Sequence, residues 1–86
     1  MKIFFHKNFS RNYQRLPPKA KKQFEKRLKF FLEDPFHLLL NNHALHGEWK
    51  NYRSINIGGD LRAIYKPISG DTVEFLMIDT HGNLYS

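Results

Sequence analysis

The fold of this chain is decided by residues 52–79, which read YRSINIGGDLRAIYKPISGDTVEFLMID. Polar and apolar residues alternate in its first part, and two clusters of small polar residues interrupt it. Alternation indicates half-buried strands, and a glycine pair indicates a tight turn. The predicted strands are residues 52–57, 61–66 and 73–79, joined by turns at Gly58-Gly59 and over residues 67–71. The stretch therefore predicts an antiparallel meander.

Two helices are predicted ahead of the meander. The first has apolar residues at i, i+4 and i+7 starting from Phe9, and it follows a short β-prone segment over residues 2–6. The second is expected from Pro18 to Glu33. Proline suits the first turn of a helix, and the residue before Pro35 avoids the α region, so both ends of this helix are marked locally.

The second helix has an apolar stripe and a basic face. The expected buried stripe is Ala20, Phe24, Leu28, Phe31 and Leu32, and the basic face is Lys19, Lys22, Lys26 and Lys29. The irregular residues 36–50 follow, with Leu38 to Leu40, Leu45 and Trp49 as expected anchors. Helices first and strands after predict one α+β domain over residues 1–86. Its N-terminal helices would pack on one face of a small, mainly antiparallel sheet.

Positive charge is concentrated in the N-terminal part of the chain. Residues 1–32 contain ten Lys and Arg and one acidic residue, Glu25, which gives a net charge of +9. Residues 33–86 contain four Lys and Arg and seven acidic residues, a net charge of −3, so the whole chain has +6. A basic half favours a polyanionic partner, because each phosphate contact releases counterions. The same charge also fits a solvated helix face, so both interpretations remain open.

The composition excludes several classes of protein. Eight Phe, four Tyr and one Trp argue against disorder, and the absence of cysteine excludes disulfides and thiolate chemistry. No apolar run approaches the length of a membrane span, and Lys7 and Arg11 interrupt any signal-peptide core. These features predict a cytoplasmic protein with no membrane partner.

Three polar residues are candidates for acid–base chemistry. His43 precedes the meander, Asp60 lies at its first turn, and His81 follows its last strand. A meander brings strand ends together, so these side chains are candidates for one shared site. RNA cleavage by its own 2′-hydroxyl needs a base, an acid for the leaving 5′-oxygen, and positive charge near the phosphate. Two histidines, an aspartate and nearby arginines would supply these groups.

Simpler roles for the same residues also fit the sequence. A loop histidine is commonly a plain surface residue, and an aspartate beside two glycines can serve turn chemistry alone. His43, His46 and His81 form a possible zinc set, but the spacing is loose and no cysteine contributes. The sequence therefore predicts no metal and no cofactor.

Three blocks of the sequence resemble one known family. Residues 42–53, NHALHGEWKNYR, are similar to the DHxLxGxWKxxR block of YafQ-like toxins, a branch of the RelE/ParE superfamily. Residues 55–66, INIGGDLRAIYK, resemble that family's second and third strands, and residues 80–85, THGNLY, resemble its closing THxxLF. The predicted helices also fit the superfamily in kind and order. The resemblance therefore implies a RelE-like fold.

The resemblance implies a toxin of a type II toxin–antitoxin pair that cuts mRNA in the ribosomal A site. His43 matches a family histidine, Asp60 the family aspartate and His81 its C-terminal histidine, and these three are the expected catalytic residues. Tyr85 matches the terminal phenylalanine of the family; near the end of the chain, where packing demands less, it is expected to stack on a base. The family often has a further histidine at the position of Asn56, and asparagine cannot shuttle protons near pH 7. Either His43, Asp60 and His81 suffice for catalysis or the activity is reduced.

The remaining expectations concern RNA, rRNA and a protein partner. Arg53, Arg62 and Lys66 are expected to neutralise phosphates, although the strands that carry them do not reveal which face each side chain occupies. The basic second helix would meet rRNA. A separate acidic antitoxin, partly disordered when free, would wrap the basic surface. Two alternatives stay open: a ParE-like gyrase inhibitor that cuts no RNA, and an inactive RNA-binding relative.

Overall fold

The computed structural model describes residues 1–85, and of Tyr85 it describes the backbone only. Strands and helices follow one another in the order β1-α1-α2-β2-β3-β4-β5-α3. The strands are β1 (Lys2–Phe5), β2 (His43–Ala44), β3 (Arg53–Gly58), β4 (Leu61–Ser69) and β5 (Thr72–Thr80). The helices are α1 (Lys7–Gln14), α2 (Pro18–Glu33) and α3 (His81–Tyr85), with 3₁₀ turns at Leu38–Leu40 and Gly47–Trp49. Within residues 1–85, no helix is long and apolar enough to span a membrane.

The strands form one five-stranded sheet in the order β1-β5-β4-β3-β2. Strands β2 to β5 pair antiparallel, which confirms the predicted meander, whereas β1 pairs parallel to β5 from Lys2 opposite Thr72 to Phe5 opposite Phe75. The sheet is therefore mixed but mainly antiparallel. With the helices packed on it, the predicted α+β class is confirmed.

Helix α2 has the predicted bounds, because both of its ends are fixed locally. Pro18 is its first residue, where the missing N–H costs no hydrogen bond. Asp34 ends the helix in an extended conformation, with φ −157° and ψ 105°, directly before Pro35. Prolines at both ends thus set the length of the helix.

Strand β4 is longer than predicted and runs through Pro67 to Ser69. The predicted turn over residues 67–71 is wrong in its first part, because only Gly70 and Asp71 lie between β4 and β5. Strand β3 pairs with β4 only as far as Arg53 opposite Tyr65. Pro67 therefore lies where β4 has an open side, and a proline without an N–H is tolerated there.

The core lies between the helices and one face of the sheet. Helix α1 contacts β5 and helix α2 contacts β3. Phe75 of β5 is fully buried, with its ring centroid 5.8 Å from that of Phe24 and 5.5 Å from that of Phe31. Aromatic pairs at these separations add stability beyond the area they bury. The other face of the sheet is called the outer face here; it carries Ser54, Asn56, Arg62, Ile64 and Asp79.

Some predicted anchors are exposed. Leu32 was expected in the buried stripe of α2 but is 47% exposed in the last turn of the helix. Leu38 is 90% exposed and Leu39 50%, whereas Leu40 is fully buried. A 3₁₀ turn has three residues per turn, so one residue of three points into the core. The periodicity of an ordinary helix does not apply to that segment.

Gly58, in the bulge between β3 and β4, is predicted to resist substitution. Its φ is +149°, and a Cβ there would lie 2.9 Å from Cγ and Nε2 of Gln23. Gly58→Ala should lower the free energy of unfolding in urea by about 1–3 kcal/mol from backbone strain, with the clash in addition. Gly59→Ala is the matched control, because its φ is +53° but nothing lies within 4 Å of the added Cβ. Equal losses for the two variants would contradict the larger combined cost of backbone strain and the Gln23 contact expected at Gly58.

Candidate active site

The structure brings Asp60 and His81 together at one end of the sheet. Leu61 of β4 pairs with Thr80 of β5, so the turn between β3 and β4 lies beside the start of α3. The backbone N–H of His81 donates to the carbonyl oxygen of Asp60 at 2.8 Å. Both residues are exposed. This contact fixes the two backbones and leaves an aspartate and a histidine side by side at the solvent.

Hydrogen bonds at the start of α3 hold His81 in position. The Thr80 hydroxyl accepts from the N–H of Asn83 at 3.3 Å, which is an N-cap interaction. Asp79 Oδ1 accepts from the N–H of Thr80 at 2.8 Å and from Nδ2 of Asn83 at 3.0 Å. Asp79, Thr80 and Asn83 had no predicted role. The Asp-Thr pair before a short segment is the signal that indicates such a cap.

Arg62 completes this end of the outer face. Its Nη1 donates to the carbonyl oxygens of Gly59 at 2.9 Å and Leu61 at 3.1 Å, and to Oδ1 of Asn56 at 3.2 Å. Asn56 and Arg62 are also direct cross-strand partners. The guanidinium is therefore anchored to the same turn that carries Asp60. A fixed cation beside an acid and a histidine suits a phosphodiester substrate.

His43 lies apart from the Asp60–His81 pair. It is in the edge strand β2 opposite Ser54, and its Nδ1 is 2.9 Å from the carbonyl oxygen of Asn41. A carbonyl only accepts, so Nδ1 carries the proton in this contact. By strand register, His43 is displaced from His81 by about 13 Å along the strands and about 14 Å across them. A substrate that touched both histidines would have to lie over the outer face, passing above Ser54 and Ile64, which are fully buried.

Two of the predicted phosphate contacts lie elsewhere. Arg53 pairs with the buried Tyr65 and faces the helices; its Nε donates to Oδ1 of Asn42 at 2.7 Å, and its Cζ is 5.2 Å from the ring centroid of Phe36. Lys66 is exposed with Nζ 5.7 Å from the ring centroid of Tyr52, towards the opposite end of β4 from the turn. Neither cation is near Asp60.

Tyr85 ends α3. Its side chain lies outside the described residues, so the expected base contact stays a prediction. The histidines proposed for the alternative zinc set are not assembled, since His43 and His81 are separated as above. Across residues 1–85, no group of three or more His, Cys, Asp or Glu is placed to hold a metal ion.

The helix side of the domain has an apolar groove of 420 Å³. Its walls come from both helices and from β1; they include Phe5, Phe9, Tyr13, Phe24 and Leu28. Burial, and secondarily the charge of Glu25, raises the pKa of the Tyr13 phenol above its usual 10.0. The phenol therefore stays neutral and donates to the carbonyl oxygen of Lys21 at 3.4 Å. The groove presents mainly apolar surface to solvent.

Comparison with known proteins identifies relatives over the full length of the chain. The family model described as "Bacterial toxin of type II toxin-antitoxin system, YafQ" matches residues 1–86. No curated protein matches. Three similar structures cover 94% or more of both chains. YafQ from Escherichia coli BL21(DE3) is 20% identical, with 99% of this chain and 98% of that chain covered and a TM-score of 0.77. The E. coli DinJ-YafQ complex is 24% identical, with 99% and 98% covered and a TM-score of 0.71. The RelB-RelE antitoxin-toxin complex from Methanococcus jannaschii is 20% identical, with 95% and 94% covered and a TM-score of 0.73.

Proposed function

The chain belongs to the YafQ family of bacterial type II toxin–antitoxin toxins, and on that premise we propose that it is an endoribonuclease that cuts mRNA in the ribosomal A site. The observation that carries the proposal is the close placement of Asp60, His81 and the anchored Arg62 at one end of the outer face. The cytoplasm, where ribosomes work, is the expected location.

The proposed reaction uses the RNA's own 2′-hydroxyl as the nucleophile. Its oxygen attacks the adjacent phosphorus, the bond to the 5′-oxygen breaks, and the products carry a 2′,3′-cyclic phosphate and a 5′-hydroxyl. One proton leaves the 2′-oxygen and another reaches the 5′-oxygen, so one basic and one acidic group are needed. Asp60 and His81 supply these two groups. Arg62 stabilises the negative charge that develops on the phosphate oxygens.

His43 belongs to the proposed site as a contact for the extended substrate. It shares the outer face with Asn56 and Arg62, because its cross-strand partner Ser54 lies on that face. With Nδ1 held by a carbonyl, Nε2 is the nitrogen that faces a ligand. Tyr85 stacks on a base of the mRNA in this proposal.

The basic helix α2 is proposed to contact rRNA. Its lysines project from the helix side of the domain, opposite the outer face. In the ribosomal A site, rRNA would therefore contact the lysine face of α2 while the mRNA contacts the outer face. Phosphate neutralisation by such a face is independent of sequence and depends on salt. The lysines of the proposed rRNA contact are exposed: Lys19, Lys22, Lys26 and Lys29.

The proposed protein partner is a separate acidic antitoxin. Toxin–antitoxin complexes occur among the similar structures. The net charge of +6 favours an acidic partner, and the apolar groove between α1 and α2 offers aromatic surface for an amphipathic segment. A partner segment that ordered on binding would cover both features.

Primer extension on an mRNA translated in a reconstituted system tests the proposed activity. We expect breaks at fixed positions within codons when ribosomes are present, and an intact transcript when the same mRNA is incubated without them. Intact mRNA on translating ribosomes would overturn the proposal. Inhibited DNA supercoiling together with intact mRNA would favour the gyrase-inhibitor alternative instead.

A further inference from the structure

We propose that Asn56 is a positioning residue that fixes the guanidinium of Arg62 beside Asp60 and His81. The anchor is neutral, so Arg62 can offer the substrate phosphate two parallel N–H groups and its full positive charge. The inference rests on the proposed function, since it concerns the same RNA-cutting site. Asn56 itself contacts no reacting atom in this scheme. It acts through the orientation of Arg62.

The hydrogen bonds of Asn56 point to this role. Its Oδ1 accepts from the N–H of Gly58 at 2.9 Å and from Nη1 of Arg62 at 3.2 Å. One amide oxygen therefore ties the arginine to the bulge between β3 and β4. The carbonyl oxygens of Gly59 and Leu61 accept from the same Nη1. Three acceptors on one turn restrict the rotation of the long arginine side chain.

The remaining nitrogens of Arg62 can serve a phosphate. In the described part of the chain, the hydrogen bonds of Arg62 all use Nη1, and none uses Nε or Nη2. A guanidinium binds phosphate oxygens through two parallel N–H groups, and less entropy is lost when the fork is already oriented. Anchoring by Nη1 thus leaves a second donor pair for the ligand.

The anchor is also electrically neutral. An amide and two carbonyl oxygens orient the guanidinium without cancelling its charge. The nearest carboxylate by register is Asp79, the cross-strand partner of Arg62 on β5. Its Oδ1 is occupied by the N–H of Thr80 and the amide of Asn83. A carboxylate at position 56 would keep both hydrogen bonds of Asn56 but would pair with the arginine that the phosphate needs.

A double-mutant cycle tests the coupling between Asn56 and Arg62. The rate measured for each variant is that of single-turnover cleavage of ribosome-bound mRNA. Asn56→Ala and Arg62→Lys should each lower the rate by about 10- to 100-fold, the value of a charge-assisted hydrogen bond. The double variant should be no more than about 2-fold slower than Arg62→Lys, because Asn56 acts through the guanidinium. Losses that multiply in the double variant would overturn the inference.

Asn56→Asp changes the charge of the anchor while keeping its hydrogen bonds. It keeps an acceptor for Gly58 and Arg62, so its urea midpoint should equal that of the wild type, whereas Asn56→Ala loses both bonds and some stability. We expect Asn56→Asp to bind a 2′-O-methyl RNA oligonucleotide about 10-fold more weakly in fluorescence anisotropy. In a plot of the logarithm of the binding constant against the logarithm of the salt concentration, the slope for Asn56→Asp should be shallower by about 1, which corresponds to the loss of one phosphate contact. Wild-type affinity and slope for this variant would overturn the inference.

The binding assay keeps the two proposals distinguishable. Failure of the wild type to cut ribosomal mRNA would refute the nuclease. The anisotropy comparison of Asn56→Asp with the wild type would still decide whether the neutral amide of Asn56 leaves the charge of Arg62 available to RNA. Cleavage by the wild type with equal rates for Asn56→Asp would instead refute only the positioning role.

Discussion

Replacing His81 with alanine is expected to slow cleavage of ribosome-bound mRNA by about 100- to 10,000-fold, the range that general acid–base groups contribute. The backbone of His81 is fixed to Asp60 by a 2.8 Å hydrogen bond, and its helix is capped by Thr80 and Asp79. Among the described residues, the other candidate histidine, His43, belongs to the distant edge strand β2. Asp60 then remains as one of the two proton-transfer groups of the proposed site, and water must replace the other.

The His81 variant should fold like the wild type. The side chain is exposed, and the hydrogen bond to Asp60 uses the backbone N–H, which alanine also has. An unchanged melting temperature together with the lost activity would identify a chemical role. His46→Ala is the matched control, because His46 is exposed in the loop before the 3₁₀ turn at Gly47–Trp49 and caps it with no side-chain hydrogen bond. A His81→Ala rate within about 3-fold of the His46→Ala rate would contradict the proposed site.

His43→Ala gives information about the extent of the site. We expect a lower rate for this variant too, because His43 shares the outer face that the substrate would cross. The two histidines do not touch, so their effects should multiply in the double variant. A wild-type rate for His43→Ala would restrict the site to the end of the sheet that carries Asp60 and His81.

Much of the fold was predictable because its signals are local. Pro18 and Pro35 set the bounds of α2, and Gly58-Gly59 set the first turn of the meander. The parallel pairing of β1 with β5 was not predictable in this way. It joins residues about 70 positions apart, such as Lys2 and Thr72, and depends on how both helices fold back over the sheet. Long-range closure of this kind leaves no mark in the local sequence.

The candidate site was predictable in part. The meander itself predicts that Asp60 and His81 approach each other, since a hairpin turn and the end of the next strand share one edge. Strand alternation predicts that Arg53 and Arg62 lie on opposite faces, but the sequence does not say which face is covered. The hydrogen bond from Arg62 to Asn56 depends on side-chain rotamers that only tertiary packing selects.

Replacing Phe75 with alanine is expected to cost about 3–5 kcal/mol of the free energy of unfolding, the usual range for a buried phenylalanine. Phe75 is fully buried in β5, and five aromatic rings have centroids within 5.9 Å of its own. These rings come from β1, both long helices and β4; they are Phe5, Phe9, Phe24, Phe31 and Tyr65. The cavity left by alanine would touch every layer of the core.

Phe4→Ala is the control for this change, because Phe4 is 57% exposed on β1 and its loss should alter stability by about 0.5 kcal/mol or less. Urea unfolding of both variants measures the difference. The free energy of unfolding of a small domain is about 5–15 kcal/mol, so Phe75→Ala should remove a large share of it, and losses of this size lower protein abundance in cells. Its toxicity should therefore fall with soluble protein level, whereas His81→Ala should lose toxicity at a normal level. Equal stability of Phe75→Ala and Phe4→Ala would contradict the central position of Phe75 in the core.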